Sequence, residues 1–254
     1  MPRYFLEISY DGTRFSGFQI QQNANSVQAE VEKAYEMIQR RKVVMTGSSR
    51  TDTGVHARQN YFHFDDVTLH PQLVYKMNSV LPKQIAVRNV WLMDDNAHSR
   101  FDAVSRTYRY YLHRVKDPFN FNHSYFYPYA LDEQLLQQAA SAVEGFHNFT
   151  SFSKSNSQVK SFECKVYRSE WAREGERMTF EICGNRFLRG MVRLLVGAML
   201  LVGRRKLLLE DFVELLKNYR RVGYSVPASG LFLEKVSFPS DFFVVREGER
   251  GQEG

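Results

Sequence analysis

Along this 254-residue chain the spacing of apolar side chains runs through a cycle of strand and helix periods and then repeats it, an order that few architectures accept. "RYFLEISY", residues 3–10, sets Tyr4, Leu6, Ile8 and Tyr10 against Phe5, Glu7 and Ser9, the period of a strand with two unlike faces. "DGTRFSG" breaks that strand. Asn25 or Ser26 can then cap a helix whose Val27, Val31, Ala34, Tyr35 and Ile38 share one face, because residues three and four apart stack along a helix. Strand-like "KVVMTG" (42–47) and "NYFHFD" (60–65) follow, then a helix near residues 70–78 and a strand "IAVRNVWLM". The second cycle reads "RTYRYYLHRV" as a strand, "DEQLLQQAASAV" as a helix capped by Asp132, and "FECKVYRSEW" and "RMTFEICGN" as strands joined through Gly175. Long helices and a last strand, "GLFLEKVSF", complete it. Strand, helix, strand, strand, helix, strand is the split βαβ order of a ferredoxin-like unit. Two such units predict an α+β fold in which the halves form one extended, mostly antiparallel sheet with helices packed on it. The halves are expected at 1–103 and 104–245, meeting near "FDAVS" (101–105), and the charged end "REGERGQEG" (246–254) reads as a disordered tail.

Helices on one face of such a sheet leave the other to loops or to a ligand, and the composition says what kind. Lys plus Arg number 34 against 28 Asp plus Glu, a formal charge of +6 with a pI near 9.2, so polyanions are natural partners. The 14 Tyr and 20 Phe are mostly core, yet any exposed ring beside an arginine is a stacking surface for an unpaired base. Cys164 and Cys183 have no partner at metal-ligand spacing and read as ordinary buried thiols of a reducing compartment, with a disulfide between them left open. The N-terminus meets Glu7 and Asp11 before any signal-length apolar run, which makes the cytoplasm the expected location. The most apolar run, "FLRGMVRLLVGAMLLVG" (187–203), is short for a bilayer and carries two arginines; it reads as a buried helix, and no membrane is expected.

The chemistry concentrates in "SSRTDTGVHARQN", residues 48–60, which places Asp52 on a loop between two strands. A T-D-T-G segment is commonly a plain turn, with Asp accepting backbone N–H groups and Gly at positive φ. Arg50, two positions earlier, projects to the same side of an extended chain and would keep Asp52 ionised, as a nucleophile or base requires. Arg186, Arg189 and Arg193, at spacings of three and four, form one stripe on the otherwise apolar helix expected at 187–203. A buried arginine needs an acid, and Asp52 is the candidate partner; the alternative is a solvated helix edge. The strand at 106–115 sets Arg106, Tyr108, Tyr110 and Leu112 opposite Thr107, Arg109, Tyr111 and His113, and either face could stack a base or simply fill the core. His56, His63, His98 and His147 show no ligand spacing and the nearest acids complete no triad with them, so no metal is expected. Gly12 and Gly17 do not form a dinucleotide loop, and no nucleotide cofactor is expected. A single "DTG" after a polar segment also lacks the second carboxylate and apolar strand of an aspartic protease half.

Taken together, "GSSRTDTGVHA" (47–57) resembles the G-x-G-R-T-D-x-G-V-H-A signature of the tRNA pseudouridine synthase A (TruA) family. "YDGTRFSGFQIQ" (10–21), "NSVLP" (78–82), "RTYRY" (106–110), "GFHNFTSF" (145–152), "FLRGMVRLLVG" (187–197) and "PASGLFL" (227–233) resemble further family motifs in the same order, from about residue 4 to 238. Ser49 stands where the family has Gly, and "HSRF" (98–101) where it has His-Ala-Arg-Phe. The resemblance implies the pseudouridine synthase fold and the isomerisation of uridine to pseudouridine at positions 38, 39 and 40 of the tRNA anticodon arm, by base flipping, in a homodimer and without a cofactor. It implies Asp52 as the essential carboxylate, Arg50 as a residue that helps extrude the base, Tyr108 as the ring that stacks on it, Arg193 as the partner of Asp52, and Leu231 as a contact to the uracil. Arg14, Gln19, Arg58, Arg100, Arg186 and Arg189 are further candidates for contact with RNA. The competing reading is a noncatalytic RNA-binding protein or chaperone on the same fold.

Overall fold

The computed structural model describes residues 1–154, 161–220 and 222–243, so the 246–254 tail lies outside the described residues. Its strands are β1 (Arg3–Tyr10), β2 (Thr46–Gly47), β3 (His56–Asp65), β4 (Ile85–Met93), β5 (Ser105–His113), β6 (Tyr125–Phe126), β7 (Val166–Glu174), β8 (Arg177–Gly184) and β9 (Leu231–Ser237). Its α-helices are α1 (Val27–Gln39), α2 (Leu73–Val80), α3 (Glu133–Glu144), α4 (Met191–Gly203) and α5 (Leu209–Lys217). The caps follow the local chemistry: Ser26 accepts the Ala29 N–H to start α1, and Asp132 accepts the Leu135 N–H to start α3.

All nine strands join one sheet, ordered β4-β1-β3-β9-β5-β8-β7, with β2 on β3 and β6 on β5. The first four major strands run fourth, first, third, second (β4-β1-β3-β2), and β9-β5-β8-β7 repeats that order, so both cycles read from the sequence have ferredoxin-like pairing. The halves meet where β3 pairs with β9 in parallel, through His56↔Phe232 and Ala57↔Leu233. Parallel neighbours start at the same end. The loop before β3 and the turn before β9 therefore emerge side by side, which positions the site.

Leu6, Ile8 and Tyr10 of β1 point to the buried face, while Glu7 and Ser9 point to the half-exposed one. At one end of the exposed face, Phe238, Phe242 and Phe243 cover Phe5. α4 is buried nearly all round, and each fully buried Leu or Val on it contributes about 1.5–3 kcal/mol relative to exposure. Gly197 of α4 meets the 224 carbonyl so closely that an added Cβ would lie 2.4 Å from the Tyr224 oxygen. Among the described residues, no helix is long and apolar enough to cross a membrane.

Two sequence expectations need correcting. Only Thr46 and Gly47 of the 42–47 segment pair as a strand, because the Met45 backbone turns to α1 instead: its N–H donates to Glu32 Oε1 at 3.0 Å and its carbonyl accepts from Gln28 Nε2 at 2.8 Å. The apolar run at 187 does not begin a helix: α4 starts at Met191 behind Gly190, whose φ is +75°. Arg186 and Arg189 thus precede the helix, and the three arginines are not one helical stripe.

Candidate active site

The loop that carries Asp52 is clamped by its own backbone. Ser48 N–H donates to the Tyr61 carbonyl at 2.8 Å, Phe18 N–H to the Thr51 carbonyl at 3.1 Å, and Val55 N–H to the Asp52 carbonyl at 3.1 Å. Asn60 Nδ2 donates to the Ser49 carbonyl at 2.8 Å, and the Tyr10 hydroxyl shares a 2.8 Å hydrogen bond with Thr51 Oγ1. Gly17, at φ +105°, lets the 10–21 segment press against this loop; a Cβ there would stand 3.1 Å from the Thr51 carbonyl oxygen. Ser49 is absent from the residues with positive φ, so serine fits in place of glycine without backbone strain.

On this frame Asp52 is 17% exposed and faces three cations. Arg193 Nη1 lies 3.7 Å from Oδ2, Lys154 Nζ 3.4 Å from Oδ2, and Arg189 Nε 3.5 Å from Oδ1. Arg193, 16% exposed, is fixed separately by Nε–H donation to the Val226 carbonyl at 2.7 Å. Arg193 and Asp52 thus face one another at 3.7 Å, both partly buried, and Arg189 joins from the turn before α4. Arg50 does not: it is exposed and makes no ion pair with Asp52, whose partners are Lys154, Arg189 and Arg193. Arg50 instead stands with Arg186 close enough to lower the pKa of Arg100, after burial.

Tyr108 of β5 is 8% exposed, edge-on to Phe187 with ring centroids 5.2 Å apart. Burial pushes its phenol up to about 12, Arg106 pulls the other way, and the nearby Asp52 charge adds to the rise; the hydroxyl is neutral at neutral pH. Leu231, the first residue of β9, is buried opposite Tyr110. Tyr110 donates its hydroxyl to the Pro227 carbonyl at 2.9 Å and so fixes the turn into β9 beside the Asp52 loop.

The other basic candidates divide by face. Arg100 lies over the exposed ring of Phe101 at 5.7 Å, and Arg14 and Gln19 are exposed on the segment between β1 and α1. Arg58 lies elsewhere. The register shift opposite Ser9 turns Arg58 and Gln59 both to the exposed face, where Gln59 meets Glu7 and Arg58 meets Glu234, opposite to Tyr108 and Leu231.

That face holds a cavity of about 600 Å³ lined by Asp11, His56, Arg58, Arg88, His123 and Arg177 among others. Asp11, His56 and His123 offer ligand atoms within 4.8 Å of one another, which corrects the expectation that the nearest acids complete no triad with the histidines. Sequence spacing missed the group because its members lie on three distant segments. Part of its bonding capacity is used within the group: Gly12 N–H donates to His56 Nδ1 at 3.1 Å, Thr13 N–H and Oγ1–H donate to Asp11 Oδ1, and His123 Nε2 pairs with Asp11 Oδ2 at 2.9 Å, while His56 Nε2 is buried without a hydrogen-bond partner among the described residues. Burial opposes ionisation of Asp11, yet these hydrogen bonds outweigh it and bring its pKa to about 2. Burial lowers His56 and favours its neutral ring.

Lys154 is the residue that sequence reasoning missed. No periodicity marks it; its only signal is its place two residues after "GFHNFTSF". Its backbone N–H donates to the Arg189 carbonyl at 3.0 Å, which carries it onto the turn before α4.

Comparison with known proteins adds the following. Residues 139–239 match the family model described as tRNA pseudouridine synthase. A tRNA pseudouridine synthase A of Parabacteroides distasonis is 40% identical over 252 residues, covering 97% of this chain and all of the relative. Proteins of the same description from Bacteroides thetaiotaomicron and Staphylococcus aureus are 42% identical over 250 residues and 40% over 240, covering 96% and 92% of this chain and 93% and 91% of the relatives.

Proposed function

The chain belongs to the tRNA pseudouridine synthase A family and is an isomerase of that kind, and from this premise we propose that it converts uridines 38, 39 and 40 of the tRNA anticodon arm with Asp52 as its essential carboxylate. The observation that carries the reading is a single acid on a clamped loop, largely buried, with three cations around it and a neutral aromatic ring nearby.

The reaction breaks the N1–C1′ bond of uridine, turns the uracil, and forms a C5–C1′ bond; C5 loses a proton and N1 gains one. Atoms and electrons balance within the substrate, so the chemistry calls for no cofactor. Attack on C1′, addition at C6, and a glycal route all use an ionised Asp52. Arg193, tied to Val226, keeps that carboxylate oriented. A base within a stem is out of reach, so the uridine is flipped out at a cost of about a few kcal/mol, offset by stacking and phosphate contacts. Tyr108 supplies the ring, Leu231 the apolar wall, and Arg50, exposed beside Arg100 and Arg186, the charge that draws the strand outward. A phenol raised to about 12 stays protonated, so Tyr108 acts first by its ring and as a hydrogen-bond donor.

The repeated strand order supports two units, 1–103 and 104–245, joined at β3 and β9. A homodimer in the cytoplasm completes the reading. Phe119, 91% exposed, and Phe121, 77% exposed, belong to a segment whose rings a second copy would cover. The test is to map pseudouridine in tRNA by carbodiimide modification and primer extension after treatment with the wild type or Asp52→Asn. Stops at 38 to 40 with the wild type alone support the reading; stops elsewhere overturn the assigned positions, and stops with Asp52→Asn overturn the catalytic carboxylate. A noncatalytic RNA-binding protein would leave no stops with either.

A further inference from the structure

The three cations on Asp52 are not held alike. Arg193 is anchored by the Val226 carbonyl, whereas Lys154 is 39% exposed and reaches Oδ2 at the end of a four-carbon stem. All three contacts, at 3.4 to 3.7 Å, are looser than the roughly 2.7–2.9 Å of a closed charge-assisted hydrogen bond. Three positive charges around one carboxylate leave two unmatched in a partly covered site, and the anions that a flipped nucleotide brings there are its flanking phosphodiesters.

The path of Lys154 is built into the backbone. Its stem lies across Gly190, where an added Cβ would stand 2.9 Å from Lys154 Cγ and 3.1 Å from Cε. Glycine is thus required at 190 twice, for the φ of +75° that begins α4 and for the room this stem needs. An ammonium is a compact point charge with rotatable donors, suited to leaving one oxyanion for another, as a guanidinium tied to a carbonyl is not.

We propose that Lys154 positions Asp52 in the free enzyme and passes to the RNA in the complex. Its ammonium holds Oδ2 until the target nucleotide enters, then moves to a phosphate beside the flipped uridine and leaves Oδ2 to Arg193 alone. The proposal rests on Asp52 as the catalytic carboxylate and on tRNA as substrate. It deepens that reading by giving this site a substrate-triggered exchange of partners.

The test compares wild type, Lys154→Met and Lys154→Arg for tRNA binding across a salt series and for kcat and KM. Lys154→Met is expected to make the slope of log affinity against log salt shallower by about 0.7–0.9, one phosphate contact, and to raise KM by a larger factor than it lowers kcat. Lys154→Arg restores the slope. In an Asp52→Asn background, where Lys154 has no carboxylate to leave, tRNA binds more tightly than to the wild type, and that gain vanishes when Lys154 is also Met. An unchanged slope in Lys154→Met overturns the proposal, and a fall in kcat with that slope unchanged assigns Lys154 to Asp52 throughout the cycle. Failure of the wild type to isomerise tRNA would overturn the underlying reading instead, without reference to any Lys154 variant.

Discussion

Asp52 and Arg193 were both legible as residues, because a carboxylate among cations and an arginine inside an apolar run each demand a partner. Replacing Arg193 by Met removes the charged hydrogen bond to Val226 and one cation from Asp52. The expected loss is about 1.5–3 kcal/mol, read as a fall of several degrees in Tm together with a lower rate. An unchanged Tm would mean that the pair does not contribute to the fold. For Tyr108 the ring and the hydroxyl separate cleanly. Tyr108→Phe keeps the tRNA affinity, while Tyr108→Ala loses roughly 1–3 kcal/mol of base stacking in a filter-binding titration; equal losses would remove the ring from the account. Arg50 and Lys154 were not legible. Which partner a loop side chain meets depends on long-range packing that spacing does not encode, and a lone lysine 102 residues from its partner has no period to betray it.

At the scale of elements, the alternation in β1 and the capped helices α1 and α3 could be read directly, since each is decided by neighbours within a few residues. The truncated β2 and the late start of α4 could not. The first is set by Glu32 and Gln28 of α1 taking the Met45 backbone groups, and the second by a left-handed glycine inside an apolar run. β3 also carries a pH dependence of the fold. Burial lowers His63 from 6.5 to about 4, helped by His98 and Arg3, and Ser99 N–H donates to its Nδ1 at 3.2 Å. Between those values the unfolded chain binds a proton that the folded chain refuses. The stabilisation from His63 is therefore full above pH 6.5 and declines as the pH falls toward 4, by up to about 1.4 kcal/mol per pH unit. Urea titrations across that window are expected to show this slope, and His63→Gln to flatten it; an equal slope in the variant would assign the effect to other groups.

For the whole molecule, the doubled cycle of elements was enough to foresee a single sheet of two ferredoxin-like pairings. The grouping of Asp11, His56 and His123 was not foreseeable, because it arises only when three distant segments close on the exposed face. A net charge of +6 and the arginines near Asp52 give the chain an electrostatic footprint for RNA, and the proposed homodimer would cover the exposed Phe119 and Phe121. Phe119→Asp with Phe121→Asp is expected to shift sedimentation from dimer to monomer; a wild-type chain that is already monomeric would remove the homodimer from the account. The central claim, a cofactor-free isomerisation centred on Asp52, meets its most direct test in tritium release from tRNA labelled at uracil C5. Wild type and Asp52→Asn are compared under multiple turnover, without added metal or nucleotide. Release by the wild type and none by Asp52→Asn is the predicted result; release by both, or by neither while tRNA still binds, would contradict it.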